Sequence, residues 1–280
     1  MAIYHLVVSD LHSGSAFALI PPHVLQRPYS NKPKNWTERK FEAFNAARET
    51  SSQLWHSYMS IVRKLPPVNY IYVLGDTVEG GRCSELIMQN TDSQTDVSIA
   101  TLMPIVKRCP RAKWYGVSGT PRHVTTDDNR ELDDETYDKL SYECNVAGVE
   151  SHVLFGEFGG LVWRLSHFVG RSGTPYGKQT PVSKELIANT LKTAMHVEHD
   201  ADVVLFGHTH YCVSSGFPMS KKRGYTCPAL KARGESYGRK FNDFYDVGLL
   251  MFKQEREGAP LQEFPFKIPV AYKMPKLYRG

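Results

Sequence analysis

Residues 70–76, Tyr70-Ile71-Tyr72-Val73-Leu74-Gly75-Asp76, decide how the fold is read: a short apolar run, β-branched in part, ends in a glycine turn and a carboxylate. A run this short, bounded by a turn residue, reads as a buried strand that delivers Asp76 at its C-terminal end. The arrangement recurs on both sides. Towards the N-terminus, Ile3 to Ser9 is almost continuously apolar and ends at Asp10 and His12. Towards the C-terminus, a strand at Lys113 to Val117 runs into the turn Gly119 to His123, and Val203 to Phe206 runs into Gly207-His208-Thr209-His210. Helices are expected between these strands. One starts after an N-cap at Thr37, carries Phe41, Phe44, Leu54, Tyr58 and Ile61 at roughly helical spacing, and stops at Pro66 and Pro67. Others are expected from about Thr95 to Cys109, from Glu131 to Cys144 and near Ser183 to His196. This alternation predicts an α/β class in which parallel strands bring their polar ends together. Val153 to Phe158 and Leu161 to Phe168 flank Gly159 and Gly160 and read as an antiparallel hairpin ending at His167.

A length of 280 residues with 41% hydrophobic and 22% charged residues suits one large globular domain. We read residues 1–258 as that domain and the Pro-rich stretch 259–280 as a C-terminal extension. The five cysteines include no CxxC pair, and an odd number leaves one thiol over in any internal pairing. A reducing, cytoplasmic setting is therefore expected. No basic leader precedes the first apolar run, and no window approaches the roughly 20 apolar residues that span a bilayer, so no membrane association is expected. A net charge of +5 would favour a polyanionic partner but decides nothing alone.

Four strand ends thus present Asp10-x-His12, Gly75-Asp76, the Gly119 to His123 turn and Gly207-His208-x-His210, joined by His167. Mixed carboxylate and imidazole donors suit divalent ions of intermediate softness, with Mn first and Fe, Zn, Co or Ni as alternatives. Two donors spaced x apart at a strand-to-loop turn can diverge to serve adjacent ions. Ions about 3.5–4 Å apart can share a carboxylate and a hydroxide that attacks phosphorus in line. Asp76 is the natural shared carboxylate. Each motif alone is weak, but Gly-His-x-His after a buried strand is stronger, because imidazoles at such a turn are seldom chosen for packing.

These residues resemble the calcineurin-like metallophosphoesterase superfamily, whose motifs run DxH, GDxxD, GNHD or GNHE, a lone His, and GHxH; the match spans residues 10 to 210. The resemblance implies an α/β fold of two packed mixed β-sheets flanked by helices, a four-layer sandwich. It also implies a metal-dependent phosphoric ester hydrolase, with one ion on Asp10, His12 and His210, another on His167 and His208, and Asp76 bridging them. His152, on the other arm of the hairpin, is the rival to His167. One departure is Gly119-Thr120-Pro121-Arg122-His123 in place of GNHD. It leaves Thr120, a poorer neutral ligand, where the family has Asn. His123 is then either the general acid for the leaving oxygen or a ligand of the second ion. Glu79 fills the last acidic position of GDxxD, and Gly80 stands where protein phosphatases of the family carry an Arg. That counts against a protein phosphatase and leaves Arg82, Arg122 and Arg171 as candidates to hold the substrate phosphate.

After the last motif comes a basic and aromatic segment containing Lys221, Lys222, Arg223, Tyr225, Lys231, Arg233, Tyr237, Arg239, Lys240 and Phe241. Cations for phosphates interleaved with rings for bases suit DNA or RNA. The expected activity is therefore that of a phosphodiesterase or nuclease acting on nucleic acid or a nucleotide. The alternatives are a phosphomonoesterase for a metabolite or phosphoprotein, and a non-catalytic scaffold of the same fold.

Overall fold

The apolar runs become strands because both of their faces are covered. A computed structural model of the protein describes residues 1–24, 37–81, 86–88, 90–216, 221–232 and 245–270. In the first sheet, β1 (Ile3–Val8), β2 (Tyr70–Val73), β3 (Lys113–Val117) and β4 (Asn145–Glu150) run parallel. The antiparallel strands β10 (Gly248–Gln254) and β11 (Gln262–Lys267) extend it beyond β1, giving the order β11-β10-β1-β2-β3-β4. In the second sheet, β5 (Val153–Phe158) and β6 (Leu161–Ser166) form the expected hairpin. Beyond them β7 (Val203–Phe206) and β9 (Arg223–Thr226) run parallel to β6, and β8 (Val213–Gly216) closes the order β5-β6-β7-β9-β8.

Alternation along each strand distributes the side chains over three apolar layers. Leu6, Val8, Ile71, Val73 and Trp114 pack outward against α1 (Glu38–Lys64), α2 (Thr91–Arg108) and, after the single turn α3 (Pro121–Val124), α4 (Leu132–Ser141) through Leu54, Tyr58, Leu102, Ile105 and Tyr137. Their neighbours Val7, Tyr72, Leu74 and Val117 face the second sheet and meet Trp163, Leu165, Val203 and Leu205. On the far side, Val204 and Phe206 pack against Leu186 of α5 (Thr180–Ala194). The result is helices, sheet, sheet, helix: an α/β fold of two packed mixed sheets flanked by helices.

Differences from the sequence reading have local causes. Helix α2 begins at Thr91, earlier than expected, because the Asn90 side chain accepts from the Ser93 N–H at 3.1 Å and so caps a polar first turn without apolar spacing. Strand β4 was not expected; it is a half-exposed edge containing Gly148, and its alternation is weak. Strand β11 lies inside the Pro-rich stretch. Pro265 is tolerated because β11 is an edge strand that pairs with β10 alone. No helix among the described residues is long and apolar enough to cross a membrane. Cys109, Cys144, Cys212 and Cys227 are free thiols.

Candidate metal centre

Parallel packing of β1, β2 and β3, with β6 and β7 facing them, gathers the ends that carry the motif residues. Cross-loop hydrogen bonds link those ends, from Asp10 N to Gly75 O at 3.2 Å and from His12 N to Asp76 O at 2.9 Å. Two glycines allow the close approach. A Cβ at Gly119 would lie 2.1 Å from Asp76 Oδ1, and one at Gly207 would lie 2.5 Å from Ser9 Oγ and 3.0 Å from His167 Nδ1. Asp10, His12, Asp76, His208 and His210 all have positive φ, between 47° and 67°. Such backbone costs about 1–3 kcal/mol per residue and persists only where the surroundings impose it.

The donors fall into overlapping groups whose ligand atoms lie within 4.8 Å of one another: Asp10, His12 and His210; Asp76, His167 and His208; and His12, Asp76 and His123. His210 Nε2 is 3.2 Å from Asp10 Oδ1 and 3.1 Å from His12 Nε2. Asp76 Oδ2 faces the first two groups, 3.7 Å from His12 Nε2 and 3.1 Å from His167 Nε2. Thr120 Oγ1 sits among the second group, 3.1 Å from His167 Nε2, 3.4 Å from His208 Nδ1 and 3.3 Å from Asp76 Oδ2. The His123 ring stands edge-on to His12 at 4.6 Å, with Nδ1 3.1 Å from the Glu79 carbonyl oxygen.

The charge states of these side chains suit cation binding. Burial alone would raise the Asp10 carboxyl, but His210 and His167 hold it well below the usual range. Asp76 is likewise held down against burial by His167 and His12. Burial lowers His12 to about 4, helped by Lys231, and lowers His208 to about 4, helped by His167. For His167, burial is outweighed by Asp76 and Asp10, which push it up to about 10. Carboxylates and neutral imidazoles are the forms that ligate a metal.

Several supporting residues carry no motif. Ser9 Oγ donates to Asp10 Oδ2, and the His208 N–H reaches both Asp10 oxygens at 3.1 Å. His167 Nδ1 donates to Leu74 O at 2.6 Å, turning Nε2 towards Asp76. His12 Nδ1 lies 2.8 Å from Glu79 Oε2, and both Glu79 oxygens accept from the buried Lys231 ammonium at 3.0–3.1 Å. Asp133, at the start of α4, accepts from Asp76 N, Thr77 N and Gly119 N at 3.0, 2.9 and 2.7 Å. Burial pushes its carboxyl up to about 6. Only a polar first turn of α4 hinted at Asp133 in the sequence.

His152 is exposed and belongs to none of the donor groups, whereas His167 is buried within one. Arg122 is exposed beside His123, and Arg171 is exposed with Nη2 3.5 Å from Thr209 O, over the turn between His208 and His210. Arg82 lies outside the described residues, as do Arg233, Tyr237, Arg239, Lys240 and Phe241. The described part of the basic and aromatic segment differs from the expected nucleic-acid face. Tyr225 is buried between the sheets, with its hydroxyl donating to Glu263 at 2.8 Å, and Lys231 is held by Glu79. Lys222 is paired with Asp200. These side chains are committed to internal contacts, and Lys221 and Arg223 are the exposed cations among the described ones.

No family model matches the chain. No curated protein matches it either. Similar solved structures include a single mutant of Vps29 from Entamoeba histolytica, at 9% identity and a TM-score of 0.41, covering 94% of this chain and 98% of that one. Vps29 from Chaetomium thermophilum is similar at 11% identity and a TM-score of 0.39, covering 96% of this chain and 100% of that one. The sulfate thiohydrolase SoxB of Thermus thermophilus, in complex with glycerol, matches at 12% identity and a TM-score of 0.41, covering 95% of this chain and 56% of that one. Likeness at this level does not extend to activity or partners.

Proposed function

We propose that this chain is a metal-dependent phosphoesterase of the calcineurin-like type, and that it acts as a phosphodiesterase on nucleic acid or a nucleotide. Asp10, His12 and His210 would hold one divalent ion, His167, His208 and the Thr120 hydroxyl another, and Asp76 would bridge them. The observation that carries this reading is the position of Asp76 Oδ2, a single buried oxygen within 3.7 Å of His12 Nε2 and 3.1 Å of His167 Nε2. The donor set fits Mn first among ions of intermediate softness. Two ions bound there would activate water and draw charge from the phosphoryl oxygens.

The protein's own groups supply the remainder. His123, with Nδ1 donating to the Glu79 carbonyl, would as an imidazolium pass the Nε2 proton to the leaving oxygen. Arg171 and Arg122 stand at the exposed rim, where a phosphate would meet them. Position 80 cannot carry the Arg of protein phosphatases, since its φ is +74° and a Cβ would lie 2.3 Å from His123 O. That absence favours a diester over a phosphoprotein. Five strained ligand positions and two buried carboxylates are costly for a scaffold with no use for cations. In this reading residues 1–258 form the catalytic domain, and 259–280 an extension whose strand β11 closes the first sheet.

The test restores Mn to metal-stripped protein and compares bis-aryl and mono-aryl phosphates with single- and double-stranded DNA and RNA, using Asp76→Asn as control. Mn-dependent diester cleavage that falls at least about 100-fold in Asp76→Asn is expected. Monoester cleavage alone would replace the diester reading, and an absence of Mn binding would overturn the metal assignment.

A further inference from the structure

We propose that Phe168 forms a stacking platform for a nucleobase beside the candidate metal centre, so that the ester cleaved carries an unpaired base next to its phosphate. This rests on the phosphoesterase reading above and narrows its substrate class.

Strand β6 ends at Ser166; His167 then turns inward, and the next side chain emerges on the opposite side. Phe168 is 64% exposed, although it directly follows a residue that is 3% exposed. Its ring lies 4.9 Å from the His208 imidazole, inclined at 43°, so one part of the phenyl covers a candidate ligand and the rest faces water. The connection that follows brings two cations to the turn that carries His208 and His210. Arg171 reaches the Thr209 carbonyl between His208 and His210, and Lys178 Nζ stands 4.6 Å from the centre of the Tyr211 ring. Tyr245 packs 5.1 Å from His210 on the other flank.

The Gly-His-Thr-His turn is therefore bordered by an open aromatic surface and by positive charge. An alkyl, sugar or phosphoserine ester would use the cations and leave the phenyl ring wetted. A nucleotide uses both, with its phosphate at the ions and Arg171 and its base over Phe168. Bases in a duplex are already stacked on one another and cannot reach the ring, so single strands and nucleotides are preferred. Stacking of one base on one ring corresponds to roughly 5- to 150-fold in affinity.

Equilibrium binding of adenosine 5′-monophosphate and ribose 5-phosphate, which differ only in the base, tests this on the full Mn-loaded chain, with phosphate release followed in the same samples. Wild type should bind the nucleotide at least about 5-fold more tightly than the sugar phosphate. Phe168→Ala should erase that ratio by weakening the nucleotide alone, and Phe168→Trp should restore it. Phe168 is exposed, so neither variant should disturb folding. An unchanged ratio in Phe168→Ala, or equal weakening of both ligands, would overturn the proposal. Mn affinity measured by calorimetry should be the same in wild type and Phe168→Ala; a change would mean that the ring merely shields His208. Failure of the metal reading would appear separately, as loss of Mn binding in wild type.

Discussion

Two ring nitrogens and one hydroxyl set the behaviour of the candidate centre at the scale of single residues. Glu79 accepts at His12 Nδ1, so the lone pair of His12 is presented at Nε2, where it faces His210 and Asp76. Support of this kind typically changes metal affinity 10- to 100-fold, and Glu79→Ala should weaken Mn binding by about that factor in calorimetry. Lys231 acts one step further out. Lys231→Met strands a buried carboxylate and should cost about 3–5 kcal/mol in denaturant unfolding, much of it recovered in the double variant Glu79→Gln/Lys231→Met. Unchanged stability in the single variant would show that Glu79 is not held by Lys231. At Thr120 the expectation has the opposite sign. The hydroxyl is a weak neutral donor among His167, His208 and Asp76, so Thr120→Asn should tighten binding of the second Mn by about tenfold while leaving the first unchanged.

Between residues and the whole, helices and strands hold the loops in register. The carboxylate of Asp133, carried by α4, ties the Asp76 loop to the Gly119 loop. In Asp133→Asn the amide must turn an N–H towards N–H donors on one side or the other, which should cost about 1–3 kcal/mol in unfolding free energy. Within the first sheet His5 links three strands, its Nε2 donating to Gln254 Oε1 of β10 and its Nδ1 accepting from the Tyr72 hydroxyl of β2, both at 2.8 Å, while its ring stacks on Trp163 of the second sheet at 4.6 Å. Burial lowers this imidazole from 6.5 to about 4. The folded state therefore resists a proton that the unfolded chain takes up. The contribution of His5 is complete above about pH 6.5 and is lost towards pH 4, at about 1.4 kcal/mol per pH unit. His5→Gln should change the pH slope of urea-derived stability across that range by about 1.4 kcal/mol per pH unit, with His12 and His208 adding slope of the same sign and Asp133 of the opposite sign. The strands were legible because their apolar runs end in glycine turns, and the ligand motifs because they follow those runs immediately. Asp133 was not legible, since it lies 57 residues from Asp76 and touches it only through the packing of α4 on the sheet. The left-handed backbone at Asp10, His12, Asp76, His208 and His210 was hidden for the same reason: contacts between loops impose it, not local sequence.

Across the whole molecule, strain and charge gather at one end of two otherwise well-covered sheets, and the proposed metal reading predicts that stability depends on a bound cation. Asp10 and Asp76 are both buried, and nearby histidines hold both ionised against the cost of burial. That burial cost, with the cost of five left-handed residues, is what the layers Val7, Tyr72, Leu74, Trp163, Leu165 and Leu205 must hold in place. A cation bound by the folded chain alone adds about 2.7 kcal/mol at a hundred times its dissociation constant. For a domain of this size a kcal/mol moves the midpoint by about 2–4 °C, so saturating Mn should raise Tm by about 5 °C or more over chelator-treated protein. Asp76→Asn should lose most of that rise and should also unfold below wild type in chelator, because it removes a carboxylate that His167 and His12 hold ionised. Leu205→Ala should behave differently. It should cost about 2–5 kcal/mol in chelator and leave the Mn-induced rise intact, since the cavity it opens lies between the sheets and away from the donors. If Mn failed to shift wild type, or shifted Asp76→Asn equally, the strained end of the sheets would owe its shape to packing alone.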